Sequence, residues 1–394
     1  MTIGIDLRIL ARDANTGVEE YAKKLLSFLI PLDKSIKYKI FYNGYKKIPL
    51  DYEWARAENI EVFESKIPNK FLEISGRFDF PKIDRLLGGI DIFFQPHFLP
   101  AALSRKIKRV ITFHDLSFER YSEFFSQHQK FWHKRIDPRG QAKQADKIIA
   151  ISKSTKNDLV DLYGIAPDKV QVIHSGVSFP KNIAEIEKKS CVAKYNLPAN
   201  FILFLGTLEP RKNVLGVVKA FEVLKNSQKS DLLLLPSPQV MRGGEQQDLK
   251  LVIAGGRGWL CNELFDYVAV SKYKDDIIFL GRVLDKEKEI LYSLASVFVF
   301  PSFFEGFGFP PLEAMACGTP VVTSNVSSLP EVAGDGAIMV NPYHVDEIAG
   351  AVKMLLDNGN LRDIIIEKGR ERARQFLWQK CAEETFDFII GQEK

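Results

Sequence analysis

The chain has 394 residues, of which 46% are hydrophobic, 26% charged and 11% aromatic. This composition excludes an intrinsically disordered protein, and the length predicts two domains because a single core rarely serves more than about 300 residues. The net charge of +4 is too small to indicate a nucleic-acid partner. Residues 1–180 carry 29 Lys and Arg against 22 Asp and Glu, and the remainder carries 25 against 28. The basic first half suits an anionic substrate or membrane surface, and scattered solvated charges explain it equally well.

The cysteines are far apart in the sequence and form no C-x-x-C pair. They are Cys191, Cys261, Cys317 and Cys381. This spacing favours neither a disulfide framework nor a zinc site, so we expect a reducing, cytoplasmic environment. The N-terminal segment alternates apolar and polar residues and predicts a first β-strand rather than a signal peptide. No stretch approaches the roughly 18 consecutive apolar residues of a membrane-spanning helix.

Short apolar runs alternate with segments of helical periodicity along the whole chain. The predicted strands are 3–8, 91–95, 109–113, 147–152, 201–206, 249–255, 277–281, 297–302 and 320–324. The predicted helices include 18–30, 213–224, 286–296 and 375–390. Strands that are apolar throughout and separated by helices indicate parallel sheets covered on both faces. The sequence therefore predicts an α/β, doubly wound architecture.

Two interruptions break this alternation. Around residues 175–200 the pattern pauses and then restarts with a new strand, which predicts the boundary between two Rossmann-like domains. Residues 227–248 separate a helix from the next strand by an unusually long polar stretch. Long loops in compact domains are either functional or mobile, and the sequence favours neither alternative here.

A strand, a glycine-containing loop and a helix follow one another between residues 301 and 332. Pro310 and Pro311 suit the first turn of this helix, where a missing N–H costs nothing. A loop that ends at a helix N-terminus exposes N–H groups and binds anions or hydroxyls. Glu305 lies in the loop and Glu313 one turn inside the helix, at the carboxyl end of the sheet, where ligands bind in such folds. The spacing of two glutamates is unspecific by itself.

The sequence around these glutamates is more specific than their spacing. The segment EGFGFPPLEAMACGTPVV (305–322) closely resembles the E-x7-E signature of glycosyltransferase family 4, the retaining GT-B enzymes. The segments GTLEPRKN (206–213), LVIAGGRGW (251–259) and FHDL (113–116) are similar to further motifs of that family, in the family's order. The sequence of 206–213 most resembles the corresponding motif of bacterial mannosyltransferases of polysaccharide assembly.

The resemblance implies the GT-B fold, in which two Rossmann-like domains with parallel sheets face each other across a cleft. Residues 1–178 together with 377–394 are expected to form the acceptor-side domain, with the C-terminal helix returning to it. Residues 179–376 are expected to form the domain that binds the donor nucleotide. Closure of the cleft is expected to assemble the residues of both domains.

A basic pair in the second half matches the cations that hold the donor's diphosphate in the family. These residues are Arg211 and Lys212. Cleavage of a sugar nucleotide builds negative charge on this leaving group, so two fixed cations stabilise the transition state more than the ground state. A helix start also disfavours cations, and an anionic ligand explains them better than a solvated terminus does.

The other donor contacts are implied by the resemblance alone. Glu305 matches the glutamate that faces the donor sugar, and Glu313 matches the one that receives the ribose hydroxyls. The residues after Glu305 are expected to present backbone N–H groups to the donor; they are Gly306, Phe307, Gly308 and Phe309. The nucleobase is expected at Arg282 and Val283, through contacts that say little about its identity.

Two residues of the first half complete the implied site. His114 matches the family's active-site histidine, and Gly17 matches the glycine of the first β/α loop, which approaches the phosphates. Without the family context, a lone histidine after a strand is more often structural. Gly17 is also consistent with a glycine that only allows the chain to turn in a loop.

The resemblance implies transfer of a sugar, mannose as first choice, from a nucleoside-diphosphate sugar to a saccharide or lipid-linked acceptor with retention of configuration. GDP-mannose is the preferred donor, followed by UDP-sugars. No cofactor and no metal are expected, and the absence of any D-x-D motif from the sequence agrees with this.

Other functions remain open at this point. A sugar-nucleotide 2-epimerase can share the fold and releases nucleotide without an acceptor, and a non-catalytic sugar-nucleotide-binding subunit can retain the same residues. A dehydrogenase is disfavoured because no G-x-G-x-x-G follows the first strand. Segments 105–109 and 128–143 are rich in cations, and the second also contains aromatic residues, which suits either an anionic membrane surface contacted peripherally or a charged helix face.

Overall fold

The chain folds into two compact units. A computed structural model describes residues 1–12, 16–44, 52–68, 71–72, 80–180, 183–233 and 249–391. The first unit comprises Met1–Ser122, Gln127–Gly176 and Phe376–Lys394, and the second comprises Glu123–Ser126 and Val177–Gln375. The short segment Glu123–Ser126 therefore packs with the second unit, which the sequence pattern does not predict.

The first unit contains a parallel sheet of seven strands in the order β3-β2-β1-β4-β5-β6-β7. The strands are β1 Thr2–Asp6, β2 Lys37–Asn43, β3 Ile60–Ser65, β4 Ile92–Gln95, β5 Lys108–Phe113, β6 Lys147–Ala150 and β7 Val170–Val172. The helices between them are α1 Gly17–Leu29, α2 Ile83–Leu86, α3 Ser117–Arg120, α4 Gln127–Ile136, α5 Pro138–Gln144 and α6 Lys153–Tyr163. The central strand β4 is buried along its whole length, as expected for a strand covered on both faces.

The second unit contains a parallel sheet of six strands in the order β10-β9-β8-β11-β12-β13. The strands are β8 Phe201–Leu205, β9 Lys250–Ala254, β10 Ile277–Gly281, β11 Val297–Phe300, β12 Val321–Ser324 and β13 Ile338–Val340. The helices are α7 Glu185–Tyr195, α8 Val214–Leu233, α9 Asn262–Val270, α10 Asp285–Leu294, α11 Phe309–Ala316, α12 Leu329–Ala333, α13 Val345–Asp357 and α14 Gly359–Ala373. Both sheets confirm the predicted α/β class and the predicted parallel arrangement.

The last helix, α15 Trp378–Ile390, packs in the first unit. The rings of Tyr21 on α1 and Trp378 lie 6.0 Å apart, and the Lys147 Nζ donates a hydrogen bond of 2.9 Å to the Phe388 carbonyl. A Cβ added at Gly176 would come within 2.3 Å of the Trp378 backbone nitrogen. Only a glycine at position 176 therefore allows this close approach.

Every predicted strand is present, but four strands escaped the prediction. They are β2, β3, β7 and β13. The strand β3 is an edge strand with two exposed glutamates and lacks the continuous apolar run that marks the central strands. The helix α8 reaches Leu233, well beyond its predicted end at residue 224, so the interruption predicted at 227–248 begins as helix. Residues 234–248 lie outside the described part of the chain.

The strand order places one pair of loops side by side in the second unit. The chain runs outward from β8 through β9 to β10 on one side, and from β11 through β12 to β13 on the other. The point where the direction reverses lies between β8 and β11, and ligands bind at the carboxyl ends of strands at such a point. In the first unit the corresponding point lies between β1 and β4. Within the described ranges, no helix is both long and apolar enough to cross a membrane.

Candidate active site

The loop after β8 is held in place by one asparagine. Pro210–Lys212 form a single 3₁₀ turn, and Asn213 follows in the left-handed conformation with φ 55°. The Asn213 Nδ2 donates hydrogen bonds of 3.1 Å to the Pro301 carbonyl and 2.7 Å to the Pro342 carbonyl. These bonds join the loops after β8, β11 and β13. The turn that carries the predicted basic pair is thus anchored to the rest of the sheet edge.

Four charged side chains meet between the loops after β8 and β11, and we name them the ion cluster: Glu209, Arg211, Lys212 and Glu305. The Lys212 Nζ donates to Glu305 Oε1 at 2.6 Å, and the Arg211 Nη1 donates to Glu305 Oε2 at 3.2 Å. The Arg211 Nη2 donates to Glu209 Oε1 at 2.7 Å. All four side chains are at most 14% exposed. The formal charges of the two cations and two carboxylates cancel.

Burial and neighbouring charges set the protonation of this cluster. Burial lowers the pKa of the Lys212 ammonium, the adjacent Arg211 lowers it further, and Glu305 and Glu209 offset part of the effect. Burial raises the pKa of Glu305, but Lys212 and Arg211 lower it by more, so that it lies below its usual range. Glu305 is therefore a carboxylate at neutral pH, which accepts hydrogen bonds and donates none.

The loop from Glu305 to α11 has a fixed backbone. The Glu305 N–H donates to Ser327 Oγ at 2.9 Å, and the Ser328 Oγ lies 2.9 Å from the carbonyl oxygens of both Glu305 and Phe307. Gly308 has φ 104°, and a Cβ there would lie 2.7 Å from the Leu329 Cδ2. The conformation and the available space both require glycine at position 308.

The helix α11 begins with an unusual first turn. Phe309 is its first residue, and Pro310 and Pro311 follow. Neither proline has a backbone N–H, so the first turn offers fewer hydrogen-bond donors than other helix N-termini do. The expected helix start is present, and its remaining donors come from Phe309, Leu312 and the loop before the helix. Anion binding at this helix start stays a prediction.

Glu313 is held by a residue that the sequence did not single out. The hydroxyl of Tyr292, on α10, donates a hydrogen bond of 2.9 Å to Glu313 Oε2. Tyr292 is 1% exposed, whereas Glu313 is half-buried on α11. A buried phenol that donates to one carboxylate oxygen fixes the orientation of the side chain.

The predicted base-binding residues lie at the end of the outer strand of this sheet. Arg282 and Val283 directly follow β10, whose last residue, Gly281, has φ 68°. The side chain of Arg282 is exposed and that of Val283 is buried. Strand β9 separates this position from the loop after β8. Their predicted contact with the base stays a prediction.

His114 lies in the first unit, directly after β5. It is 7% exposed, its Nε2 lies 2.7 Å from the Pro96 carbonyl oxygen, and its ring packs edge-on against Tyr21 at 4.8 Å. Because a carbonyl oxygen only accepts, the Nε2 carries a proton. Burial lowers the pKa of His114, and Pro96 and Asp115 oppose this in part. A neutral His114 therefore has its lone pair on Nδ1.

Asp115, which follows His114 in the motif 113–116, and the predicted Gly17 both lie in ordinary local structure. The Asp115 carboxylate accepts hydrogen bonds from the backbone N–H and the hydroxyl of Ser117, at 2.9 and 2.6 Å. Gly17 is the exposed first residue of α1, and the Thr16 hydroxyl caps this helix through the Glu19 N–H. The predicted roles of His114 and Gly17 toward the donor stay predictions.

Comparison with known proteins places the chain in a family. The family model described as "Glycosyltransferase Family 4" matches residues 16–179, and the one described as "Glycosyl transferases group 1" matches residues 186–372. The O-antigen chain mannosyltransferase B of Escherichia coli is 33% identical over 306 residues, which cover 75% of this chain and 73% of that protein. This chain belongs to glycosyltransferase family 4.

Solved structures give the fold of this glycosyltransferase. Sucrose-phosphate synthase from Thermosynechococcus elongatus has a TM-score of 0.72 at 20% identity, over 100% of this chain and 99% of that one. The Anabaena protein HepE, solved in complex with UDP and glucose, has a TM-score of 0.70 at 16% identity, over 99% of this chain and 100% of that one. These likenesses confirm the GT-B fold. The comparisons do not support the 2-epimerase alternative.

The structure of the glycosyltransferase brings together three of the predicted residues, Arg211, Lys212 and Glu305. It also adds Glu209 and Tyr292, which the sequence analysis missed. Glu209 lies inside the motif E-P-R-K, and a carboxylate so close to two cations could have indicated an ion pair. Tyr292 lies 21 residues before Glu313 on another helix, and nothing in the sequence connects the two residues.

The cluster can stabilise a departing anion at the point of the sheet where ligands bind. The Lys212 Nζ and the Arg211 guanidinium are donors fixed before any ligand arrives, so they need little reorganisation when negative charge develops near them. Glu305 can also accept a hydrogen bond from a sugar hydroxyl. Over the parts of the chain that the structure describes, no group of three or more His, Cys, Asp or Glu side chains could hold a metal ion.

Proposed function

We propose that this glycosyltransferase is a hexosyltransferase that moves mannose, with retention, from GDP-mannose to a hydroxyl of a saccharide or lipid-linked acceptor in polysaccharide assembly. The observation that carries the proposal is the ion cluster between the loops after β8 and β11. The choice of mannose is supported by the name of the Escherichia coli relative. UDP-sugars are the second choice of donor, because HepE was solved with UDP and with UDP-glucose.

In this proposal the cations of the cluster carry most of the catalysis. Breaking the bond between the sugar and the diphosphate leaves negative charge on the phosphate oxygens. Arg211 and Lys212 stabilise this charge, and the diphosphate then displaces part of their contact with Glu305. A diphosphate can also take up the proton of the acceptor hydroxyl, which is consistent with retention. Two fixed cations in this position make a bridging divalent metal unnecessary, so we propose metal-independent transfer.

The remaining donor contacts follow the family resemblance. Glu313, oriented by Tyr292, receives the ribose hydroxyls. Neutral His114 and Gly17 are proposed to contact the donor sugar and the phosphates. Backbone groups supply the other contacts, and they belong to Gly306, Phe307, Gly308, Phe309, Arg282 and Val283.

We also propose that the enzyme works in the cytoplasm and touches an anionic membrane peripherally. The support is α4, where Phe131 is 64% exposed between Lys130 and Lys134. An exposed aromatic ring flanked by lysines suits the boundary between head groups and acyl chains. Sedimentation with phosphatidylglycerol vesicles should retain the wild type at low salt and release it at high salt. Equal sedimentation of Phe131→Ser would argue against this contact.

Donor turnover with and without acceptor tests the proposed function. The purified enzyme should release GDP from GDP-mannose only when a mannoside acceptor is present, and added EDTA should not change the rate. GDP release that does not depend on the acceptor would indicate an epimerase-like reaction, and binding without turnover would indicate a non-catalytic subunit. Thermal unfolding identifies the nucleotide, because a ligand at 100 times its dissociation constant stabilises the fold by about 2.7 kcal/mol.

A further inference from the structure

A cavity of about 370 Å³ lies in the second unit, on the side of the loop after β8 where Glu209 and Pro210 face it. We name it the aromatic cavity. Its walls come from the loops after β8, β9, β11 and β13 and from the first turn of α8. Aliphatic side chains line much of it, together with Phe124, Phe303, Tyr343, Glu209, Lys219 and Glu263. None of the sequence motifs assigns a ligand to it.

Three rings form one wall of the aromatic cavity. Phe303 lies between Phe124, with ring centroids 5.6 Å apart, and Tyr343, with ring centroids 4.8 Å apart. The interplanar angles of these pairs are 23° and 33°, so Phe303 stacks on Phe124 and lies tilted against Tyr343. Tyr343 is 60% exposed, which is unusual for a large ring beside a cavity. Because neighbouring rings pack on Phe303, the exposed ring of Tyr343 is the part of this wall that a ligand reaches most easily.

The backbone behind this wall is fixed. The Phe303 N–H donates to the Arg211 carbonyl at 2.9 Å, and the carbonyl of Pro342, next to Tyr343, accepts from Asn213 at 2.7 Å. The Trp259 Nε1 donates to the Phe124 carbonyl at 2.5 Å. The rings therefore stand on loops whose positions are set before a ligand binds, which lowers the entropy cost of binding.

The rest of the cavity is lined in part by charged groups. Glu209 is buried, Lys219 is half-buried and Glu263 is exposed. A hydrocarbon chain would displace water from these groups without replacing its hydrogen bonds, and such desolvation is costly. A sugar ring presents C–H bonds on one face and hydroxyls around its edge. The electron-rich aromatic face attracts the C–H bonds, and the charged groups can bond the hydroxyls.

We propose that the aromatic cavity binds a saccharide, as a carbohydrate site separate from the ion cluster. That the bound saccharide is a mannose-containing segment of the acceptor or product rests on the proposed function. Glu209 lines the cavity and also accepts a hydrogen bond from Arg211, so a saccharide in the cavity touches a partner of the donor-site cation. The site would hold a growing chain on the enzyme between successive transfers.

Ligand-observed NMR titration with α-mannotriose tests the site without requiring catalysis. The wild type should bind mannotriose, and Tyr343→Ala should bind it about tenfold more weakly, since the loss of one stacked ring costs about 1.4 kcal/mol. Tyr343→Phe keeps the ring and should bind within about twofold of the wild type, which makes it the matched control. Glu263→Gln should weaken binding about threefold through the loss of a charge-assisted hydrogen bond.

The outcomes separate this proposal from the proposed function. Affinity for GDP and the unfolding temperature should be the same in the wild type, Tyr343→Ala and Tyr343→Phe. Lys212→Ala should lose GDP affinity and keep its mannotriose affinity. Mannotriose binding that Tyr343→Ala leaves unchanged, or no binding to the wild type, overturns the saccharide site. Two further results together also overturn it: octanol displaces bound mannotriose, and Tyr343→Phe loses as much mannotriose affinity as Tyr343→Ala does. Mannotriose binding without any transfer from GDP-mannose supports the site and contradicts only the proposed function.

Discussion

The ion cluster of the second unit and the surroundings of His114 in the first unit differ in how they accommodate ionisable groups. In the cluster, two buried cations and two carboxylates neutralise one another through direct hydrogen bonds. His114 is also buried, but a backbone carbonyl holds it and burial keeps it neutral. We therefore expect the removal of a single charge to impair the ion cluster. His114 should be impaired instead by the loss of its ring shape or of its hydrogen bond.

This difference has a consequence for ligand binding. Because the charges of the cluster cancel, it does not attract a diphosphate as strongly as a bare Arg-Lys pair would. A bound diphosphate must compete with Glu305 for both cations. Tight ground-state binding is thereby limited, while the cations remain in place for the charge that develops during bond cleavage.

Lys212→Ala should lower kcat by about 10³-fold, comparable to the loss of a fixed donor to a developing anion. Steady-state kinetics at saturating GDP-mannose measure the effect. Lys353→Ala is the matched control, because this lysine forms an exposed ion pair with Asp357 on α13. A rate within a few fold of the wild type in folded Lys212→Ala would show that the cluster does not act on the leaving group.

His114→Gln should lower kcat by about 10²-fold, the contribution of a typical positioned hydrogen-bonding or acid–base group. It should also change the pH dependence of stability. Burial lowers the pKa of His114 in the folded state, so below about pH 6.5 the unfolded chain binds more protons and stability falls.

Urea unfolding at several pH values measures this second effect. Between pH 7.5 and 5.5 the wild type should lose stability relative to His114→Gln, by up to about 1.4 kcal/mol for each pH unit below the unfolded pKa. The effect should vanish above pH 7.5, where both states are neutral. Parallel stability curves for the two proteins would mean that His114 does not titrate differently in the folded chain.

Glu305→Gln should bind GDP about fivefold to tenfold more tightly than the wild type, because removal of one carboxylate leaves the cluster with a positive charge. The same variant should lower kcat, since Gln does not hold Lys212 with an ionic hydrogen bond. Isothermal titration with GDP measures the affinity. Glu313→Gln is the comparison, and its GDP affinity should fall. Weaker binding of GDP to Glu305→Gln would contradict the balanced cluster.

Tyr292→Phe should raise the KM for the donor about fivefold and leave kcat nearly unchanged, because one hydrogen bond to Glu313 is worth about 1 kcal/mol. Tyr292 is buried, so unfolding by urea should accompany the kinetics to confirm that the variant is folded. A loss in kcat without a change in KM would place Tyr292 or Glu313 in the chemical step instead.

The comparison of these two regions also shows what the sequence could predict. Arg211, Lys212 and Glu305 were predicted because each lies in a run of residues that resembles a family motif. Pairing between them depends on the adjacency of β8 and β11, which no local pattern contains. Glu209 was missed because a glutamate in a loop is usually a solvated charge. Tyr292 was missed because its partner is on another helix.

The fold followed the sequence best where strands are apolar throughout; of the missed strands, β3, β7 and β13 lie at sheet edges and β2 is internal. Central strands such as β4 and β8 are continuous apolar runs and were predicted. The edge strand β3 is half-exposed and carries two exposed glutamates. The helix α8 continues through polar residues to Leu233, because helix formers extend a helix that is already nucleated. The aromatic cavity combines residues from the loops after four strands, from helices and from the segment Glu123–Ser126, so only the folded chain reveals it.

The most direct test of the account is the product formed by the wild type and by Lys212→Ala from GDP-mannose and a mannoside acceptor. NMR of the wild-type product should show the anomeric configuration of the donor, and Lys212→Ala should form about 10³-fold less product per unit time. A product of inverted configuration would contradict the proposed retention. Undiminished transfer by Lys212→Ala would contradict the central role of the ion cluster.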